Sequence, residues 1–415
     1  MASGTKLSGS DKQVLRDAGF GSMVLGGASG IATSPVFSKV AEKQADANDR
    51  ILVIVELSGG NDGLNTVIPY ADDAYYRARP NLGIRESKLR KIDEQFGFQN
   101  TMAAFERLYK DGQMGIVHGV GYDQPSFSHF SSMAFWQTGA PNSGELFGWL
   151  GRMADAIDPL GHTNNFLVNI DDHQSLAVRS MNHVPLVFDN PATFTRSILN
   201  EQAPLLDLLS RGGNGTGNAS QDFLFDIARS ASTSEQLVRE AWANYRTPVD
   251  YGLVRFGLEK VAALIAADFP TKVYYVPYRN NAFDTHVYQG DLHQRLWSYT
   301  SDHIGAFVRD MDRLGRGDDV VVMAFSEFGR RVAENTSLGT DHGTAGPAFI
   351  IGKPVTGGHY GKAPSLTDLD DGNLKYTTDY RRIYSTLIEG WMGYEQPAAI
   401  LRDAFQPIPV FGARA

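Results

Sequence analysis

Ile51 to Leu57 reads ILVIVEL and stops at Ser58-Gly59-Gly60. A short, β-branched apolar run cut off by a glycine pair is how a parallel strand buried on both faces reads. A helical stretch follows around Thr101 to Asp111, then a second strand at Met114 to Val120 (MGIVHGV), a loop, and a helix from about His129 to Gln137. Strand character returns at Lys272 to Val276 (KVYYV) and Val320 to Phe325 (VVVMAF), with a long amphipathic helix near Gln289 to Leu314 between them. A last short strand, Ala348 to Ile351, follows a Gly-rich loop. Strand and helix in alternation imply an α/β fold, a mostly parallel sheet sandwiched by helices. The segment from about 192 to 267 is helical in pattern and is interrupted by Arg211 to Ser220 (RGGNGTGNAS), a surface linker, so it reads as an insertion or cap. The expected organisation is a leader-like segment and linker over 1–50 and one α/β domain over 51–415.

The 415 residues carry a formal charge of −9 and no clustered basic stretch, which argues against nucleic acid as a partner. Cysteine is absent, so disulfides, thiolate nucleophiles and Cys-based zinc sites are excluded. No run reaches the ~18 consecutive apolar residues of a membrane span. Leu15 to Phe37 is small, weakly apolar and preceded by Lys12, as in an export leader. The segment SDKQVLRD resembles the twin-arginine signal pattern, with Asp11 and Lys12 where the two arginines belong. The expected location is periplasmic or extracellular, or cytoplasmic where the leader does not function; the other reading is a disordered or helical N-terminal arm.

In an open parallel sheet, ligands bind beyond the carboxyl ends of the strands, so the polar residues just after each strand carry the chemistry. GGNDGLN after the first strand places Asn61, Asp62 and Asn65 at that edge. FDTH after KVYYV offers Asp284 and His286, a carboxylate and an imidazole two positions apart that share a side of an extended chain. SEFGRR begins where VVVMAF ends and brings Glu327 and Arg330. GTDHGTAGP is a Gly-flanked Asp341-His342 just ahead of a strand. A fifth segment, DQPSFSHFSSMAFWQTG, opens a helix with Ser128 and His129, where a helix N-terminus favours an anion. Each has a bland alternative: a turn, an ion pair, or a serine cap. Five together point to one site. His173 and His183 have no usable partner spacing and are read as structural.

In these segments the chain resembles a bacterial family known as domain of unknown function 1501, grouped with the alkaline-phosphatase-like, or sulfatase-like, fold. GGNDGLN, SHF, FDTH, SEFGR and GTDHG occur in the family's order from about Ile51 to the C-terminus. The resemblance implies an alkaline-phosphatase-like sheet and a metal-dependent hydrolase of a phosphate, phosphonate or sulfate ester on a small molecule or a polymer. It implies Asp62, Asp284, His286, Glu327, Asp341 and His342 as metal ligands for one or two divalent ions, zinc first, with manganese or iron also fitting. Ser128 or His129 would be the nucleophile or an extra ligand, Asn61 and Asn65 would hold the substrate oxyanion, and Arg330 would orient Glu327 or the substrate. Glu327 and Phe328 stand where the wider group has Asp-His, which removes one imidazole from a second metal position. The rival expectation is a non-catalytic exported protein that binds a metal or ligand on the same fold.

Overall fold

The strand β1 (Ile51–Leu57) is buried along its whole length and sits near the middle of the main sheet. A computed structural model describes residues 49–194 and 233–412; the leader-like segment and the Arg211 to Ser220 linker lie outside the described residues. After β1 come α1 (Asp73–Ala78), α2 (Ala103–Lys110), β2 (Met114–Gly121), α3 (His129–Thr138), α4 (Trp149–Ile157), β3 (Leu167–Asn169) and β4 (Leu186–Val187). The second half holds α5 (Leu258–Ala266), β5 (Val273–Tyr278), α6 (Gln289–Arg313), β6 (Val320–Phe325), β7 (Gly346–Ile351), β8 (Gly358–Tyr360), β9 (Thr378–Asp379) and α7 (Tyr380–Ser385). The sheet runs β8-β2-β7-β6-β1-β5-β3-β4, with β9 also paired to β2.

Successive side chains of a strand point to opposite faces, so an uninterrupted apolar run needs a cover on each side. Val53, Val55 and Leu57 pack on one face with Phe105, Trp297 and Phe307, under α2 and α6. Leu52 and Ile54 pack on the other with Trp136, Trp149 and Tyr384, under α3, α4 and α7. Helix α6 turns Trp297, Ile304, Phe307 and Met311 inward at the three- and four-residue spacing of an amphipathic helix. It approaches α2 so closely that a Cβ on Gly305 would sit 2.6 Å from the Ala104 Cβ.

β1 pairs in parallel with β5 and β6, whereas β7 runs antiparallel to both β6 and β2. The sheet is therefore mixed and mostly parallel. Of the segment expected to be a helical insertion, the described residues show a helix over 233–244, irregular chain over 245–257 and α5. No helix among the described residues is long and apolar enough to cross a membrane.

Candidate metal centre

The carboxyl ends of β5 and β6, the N-terminus of α3 and the loop into β7 meet at one point. His129 is the first residue of α3, directly after its N-cap Ser128, whose hydroxyl accepts from the Ser131 amide. Asp284 and His286 follow β5, Glu327 follows β6, and His342 precedes β7. Ligand atoms of His129, Asp284 and His342 all lie within 4.8 Å of one another. His342 Nε2 is 3.2 Å from Asp284 Oδ1 and His129 Nε2 is 3.4 Å from Oδ2. His286 joins from the side, its Nε2 2.9 Å from Asp284 Oδ1 and 3.0 Å from His342 Nε2.

The far nitrogen of each ring fixes the tautomer. His342 Nδ1 lies 2.8 Å from the Phe127 carbonyl oxygen, which only accepts, so that nitrogen bears the hydrogen. His129 Nδ1 is 2.7 Å from Glu327 Oε1, and His286 Nδ1 is 3.3 Å from Asp341 Oδ1, again acceptors. In their neutral form, rings held this way would present three Nε2 lone pairs to a carboxylate that is itself an acceptor. His129 Nε2 is buried with no hydrogen-bond partner. Lone pairs gathered on a carboxylate repel one another unless a cation lies among them; the Arg330 guanidinium stands beside His286 Nε2, 3.5 Å away, and a divalent ion would serve His129 and His342 as well. Two nitrogens on a tetrahedral zinc ion stand about 3.3 Å apart, close to the 3.0 Å between His286 and His342. The residues present therefore fit a divalent ion, and the partners on Nδ1 are the carboxylates and carbonyl that ligating histidines ordinarily require.

This geometry moves several residues away from their expected roles. Glu327 is fully buried and spends Oε1 on His129 and on the Gly59 amide (2.9 Å), and Oε2 on the Ser326 hydroxyl (2.9 Å), so it stands behind the His129 ring. Asp341 likewise faces the back of His286 and takes Asn335 Nδ2 at 3.0 Å. Asp62 does not join the cluster. Its side chain and that of Arg79 are wholly buried in a 2.6 Å ion pair, and Gln289 also donates to it. Asn61 Oδ1 accepts from the Trp297 indole and the Thr66 hydroxyl, and Asn65 bonds Leu82, Tyr75 and Arg79, so both side-chain amides are engaged within the protein. Arg330, only 1% exposed, donates to Asp284 Oδ1 (2.7 Å) and to the carbonyls of Gly60, Thr340 and Gly59. It orients Asp284, where the sequence pointed to Glu327 or the substrate. Phe328 is buried with its ring 4.9 Å from the His129 ring and 4.7 Å from that of His342.

Electrostatics follow these contacts. Burial pushes Asp284 up, but the Arg330 hydrogen bond and charge outweigh it and hold the carboxyl below its ordinary range. The hydrogen bond that His129 donates to Glu327 raises its imidazole, and burial lowers that of His342. Asp62, despite burial, is held low by the Arg79 charge. Arg79, Asn335 and the Phe127 carbonyl went unnoticed in the sequence, and no motif marks them. A cavity of about 670 Å³ lies elsewhere, lined by residues such as Phe96, His118 and Pro347 and by none of the four convergent side chains.

A mostly parallel sheet whose strand ends bring three imidazoles and a carboxylate together defines an α/β protein with a candidate metal centre at the carboxyl edge. The chain belongs to the family described as "Protein of unknown function (DUF1501)", which matches residues 49–398. No curated protein shows detectable sequence similarity to it. Among solved structures it is similar to the lipoteichoic acid synthase LtaP from Listeria monocytogenes, at 9% identity and TM-score 0.34 over 76% of this chain and 70% of that one. It is also similar to a protein in the alkaline phosphatase superfamily from Vibrio parahaemolyticus, at 12% identity and TM-score 0.34 over 76% and 62%. The PsFucS1 sulfatase from Pseudoalteromonas sp. gives 12% identity and TM-score 0.35 over 90% and 77%.

Proposed function

We propose that this chain is a metal-dependent hydrolase of the alkaline-phosphatase type, acting on a phosphate, phosphonate or sulfate ester of a small molecule or a polymer. The observation that carries the reading is the convergence of three histidine Nε2 atoms on Asp284, one of them buried without a hydrogen-bond partner. His129, Asp284, His286 and His342 would hold one divalent ion. Zinc suits three imidazoles and a carboxylate, and manganese or iron would also fit. When bound, such an ion polarises an ester oxygen and lowers the pKa of water or a hydroxyl beside it.

The remaining work falls to the chain. Glu327 and Asp341 hold the His129 and His286 rings with Nε2 inward, and Arg330 holds Asp284. His129 Nε2 faces Asp284, so of the Ser128-His129 pair the ligand role suits His129 and the nucleophile role suits the exposed Ser128. The start of α3, with no acidic residue in its first turn, favours an anion there. One ion rather than two is supported by Phe328 packed on His129 and His342 and by the closed Asp62–Arg79 pair. We place the protein outside the cytoplasm, on the leader-like N-terminus.

The same Phe328 packing favours a second reading, an exported protein that binds its metal without turnover. Elemental mass spectrometry on protein purified without chelator tests the centre: one equivalent is expected, lost in Asp284→Ala/His342→Ala. A wild type that neither carries nor takes up metal would end the proposal. Turnover of a phosphodiester, abolished by Asp284→Ala, separates enzyme from binder; inertness with metal bound selects the binder.

A further inference from the structure

The ligand-bearing segments also carry exposed apolar side chains. Of the 13 large hydrophobic residues exposed among the described residues, five stand within four positions of a clustered histidine. Phe127 (44% exposed) and Phe130 (87%) flank His129, Val287 (55%) and Tyr288 (74%) follow His286, and Leu338 (36%) precedes His342. These segments are tied together. His342 bonds the Phe127 carbonyl, Asn335 Nδ2 bonds the His286 carbonyl at 3.0 Å, and the Tyr288 and Gln289 amides donate to Ser337 and Leu338 at 3.0 and 2.8 Å. The five residues thus stand on segments that are bonded to one another beside the centre, and their exposed side chains form an apolar rim.

The backbone shows that their placement is imposed. Tyr288 and Leu338 hold φ of +46° and +57°, a left-handed conformation that bulky residues avoid. Strain of this kind persists where the surroundings enforce it and gathers at ligand sites. Tyr288, 74% exposed, gains little burial in return. An apolar rim around a charged centre matches a ligand of the same build.

We propose that this rim seats an aryl or alkyl group joined directly to the anionic head of the ester, so that the substrate class is an amphiphilic monoester or diester rather than a small hydrophilic one. This rests on the reading of the centre as an ester-anion site. The test compares equilibrium binding of methylphosphonate and phenylphosphonate to the metal-loaded full chain, with Phe130→Ser/Tyr288→Ser as the variant; both residues are exposed, so the fold tolerates the change. Partial burial of the phenyl ring predicts about tenfold tighter binding than the methyl compound, falling to within about twofold in the variant. Equal affinities in the wild type, or a preference that survives in the variant, would overturn the rim while leaving the anion site standing. Binding of neither anion would remove the ester-site reading and the rim with it. Self-association of the wild type abolished in the variant would show that the rim is covered by a second copy, which also overturns the proposal.

Discussion

Replacing Glu327 by Gln separates a residue that orients a ligand from one that is a ligand. The side chain is fully buried, so the exchange keeps shape and removes one charge. Its hydrogen bonds can be remade. The Gln oxygen can accept from His129 Nδ1 and the Gly59 amide as Oε1 does, and the new amide can donate to Ser326 Oγ while that hydroxyl donates to Leu57 O, 2.7 Å away. The loss is the charge assistance on the His129 bond, which is worth about 1.5–3 kcal/mol in total. Partners on the far side of ligating histidines typically change metal affinity about 10–100-fold, roughly 1.4–2.7 kcal/mol, so the two scales agree. The expected result is a metal stoichiometry unchanged at one equivalent, with the dissociation constant raised about 10–100-fold, read by competition against a chromophoric chelator. Loss of the metal altogether would show that Glu327 is a ligand, and an unchanged constant would show that it does not hold His129. Either result refutes the tautomer argument.

Two further outcomes concern the frame that holds the site. Arg79→Leu strands a buried Asp62 whose Oδ1 already lacks a partner, so urea unfolding should report a loss of about 3–5 kcal/mol, with Asp62→Leu/Arg79→Leu much milder; equal losses would mean that the pair is not the source. Glu56, inside β1 and bonded to Tyr275 and Gln137, is pushed by burial from an ordinary 4.5 up to about 7. The fold therefore holds the Glu56 proton more tightly than the unfolded chain does, and stability from this group is lost as pH rises from about 4.5 through about 7. The loss amounts to about 3 kcal/mol above that window. Glu56→Gln should be more stable than wild type at pH 8 and equal to it at pH 4 in thermal melts; a gain independent of pH would rule the mechanism out.

The sheet was legible where strands are buried on both faces. β1, β2, β5 and β6 are predominantly apolar runs because helices cover both sides, and a segment with that composition has little else to form. The reversed direction of β7 was not legible, since an apolar run carries no polarity, and β3 and β4 are too short for any period to show. At the site, FDTH and GTDHG mark Asp284, His286 and His342 because they fall at strand ends. Asp62 was drawn away from them by Arg79, a helix-capping residue 17 positions on that carries no local signal. The roles of Glu327 and Asp341 turn on which imidazole nitrogen faces the cluster, and that choice belongs to the rotamers and to neighbours such as the Phe127 carbonyl.

Arg330 decides the charge of the centre. Its guanidinium is enclosed by backbone carbonyls. Asp284 is the one carboxylate among the four convergent groups, and Arg330 already neutralises it at 2.7 Å. The three imidazoles add no negative charge. A divalent ion taken at this point would bring its double charge to the cleft almost undiminished, facing the acid-free first turn of α3. Asp341 and Glu327 temper that charge only through the rings they hold. An arrangement that spends an arginine to cancel its own carboxylate is poorly suited to a neutral ligand and well suited to a multiply charged oxyanion, which is the electrostatic reason to look for phosphate, phosphonate or sulfate esters before any other class.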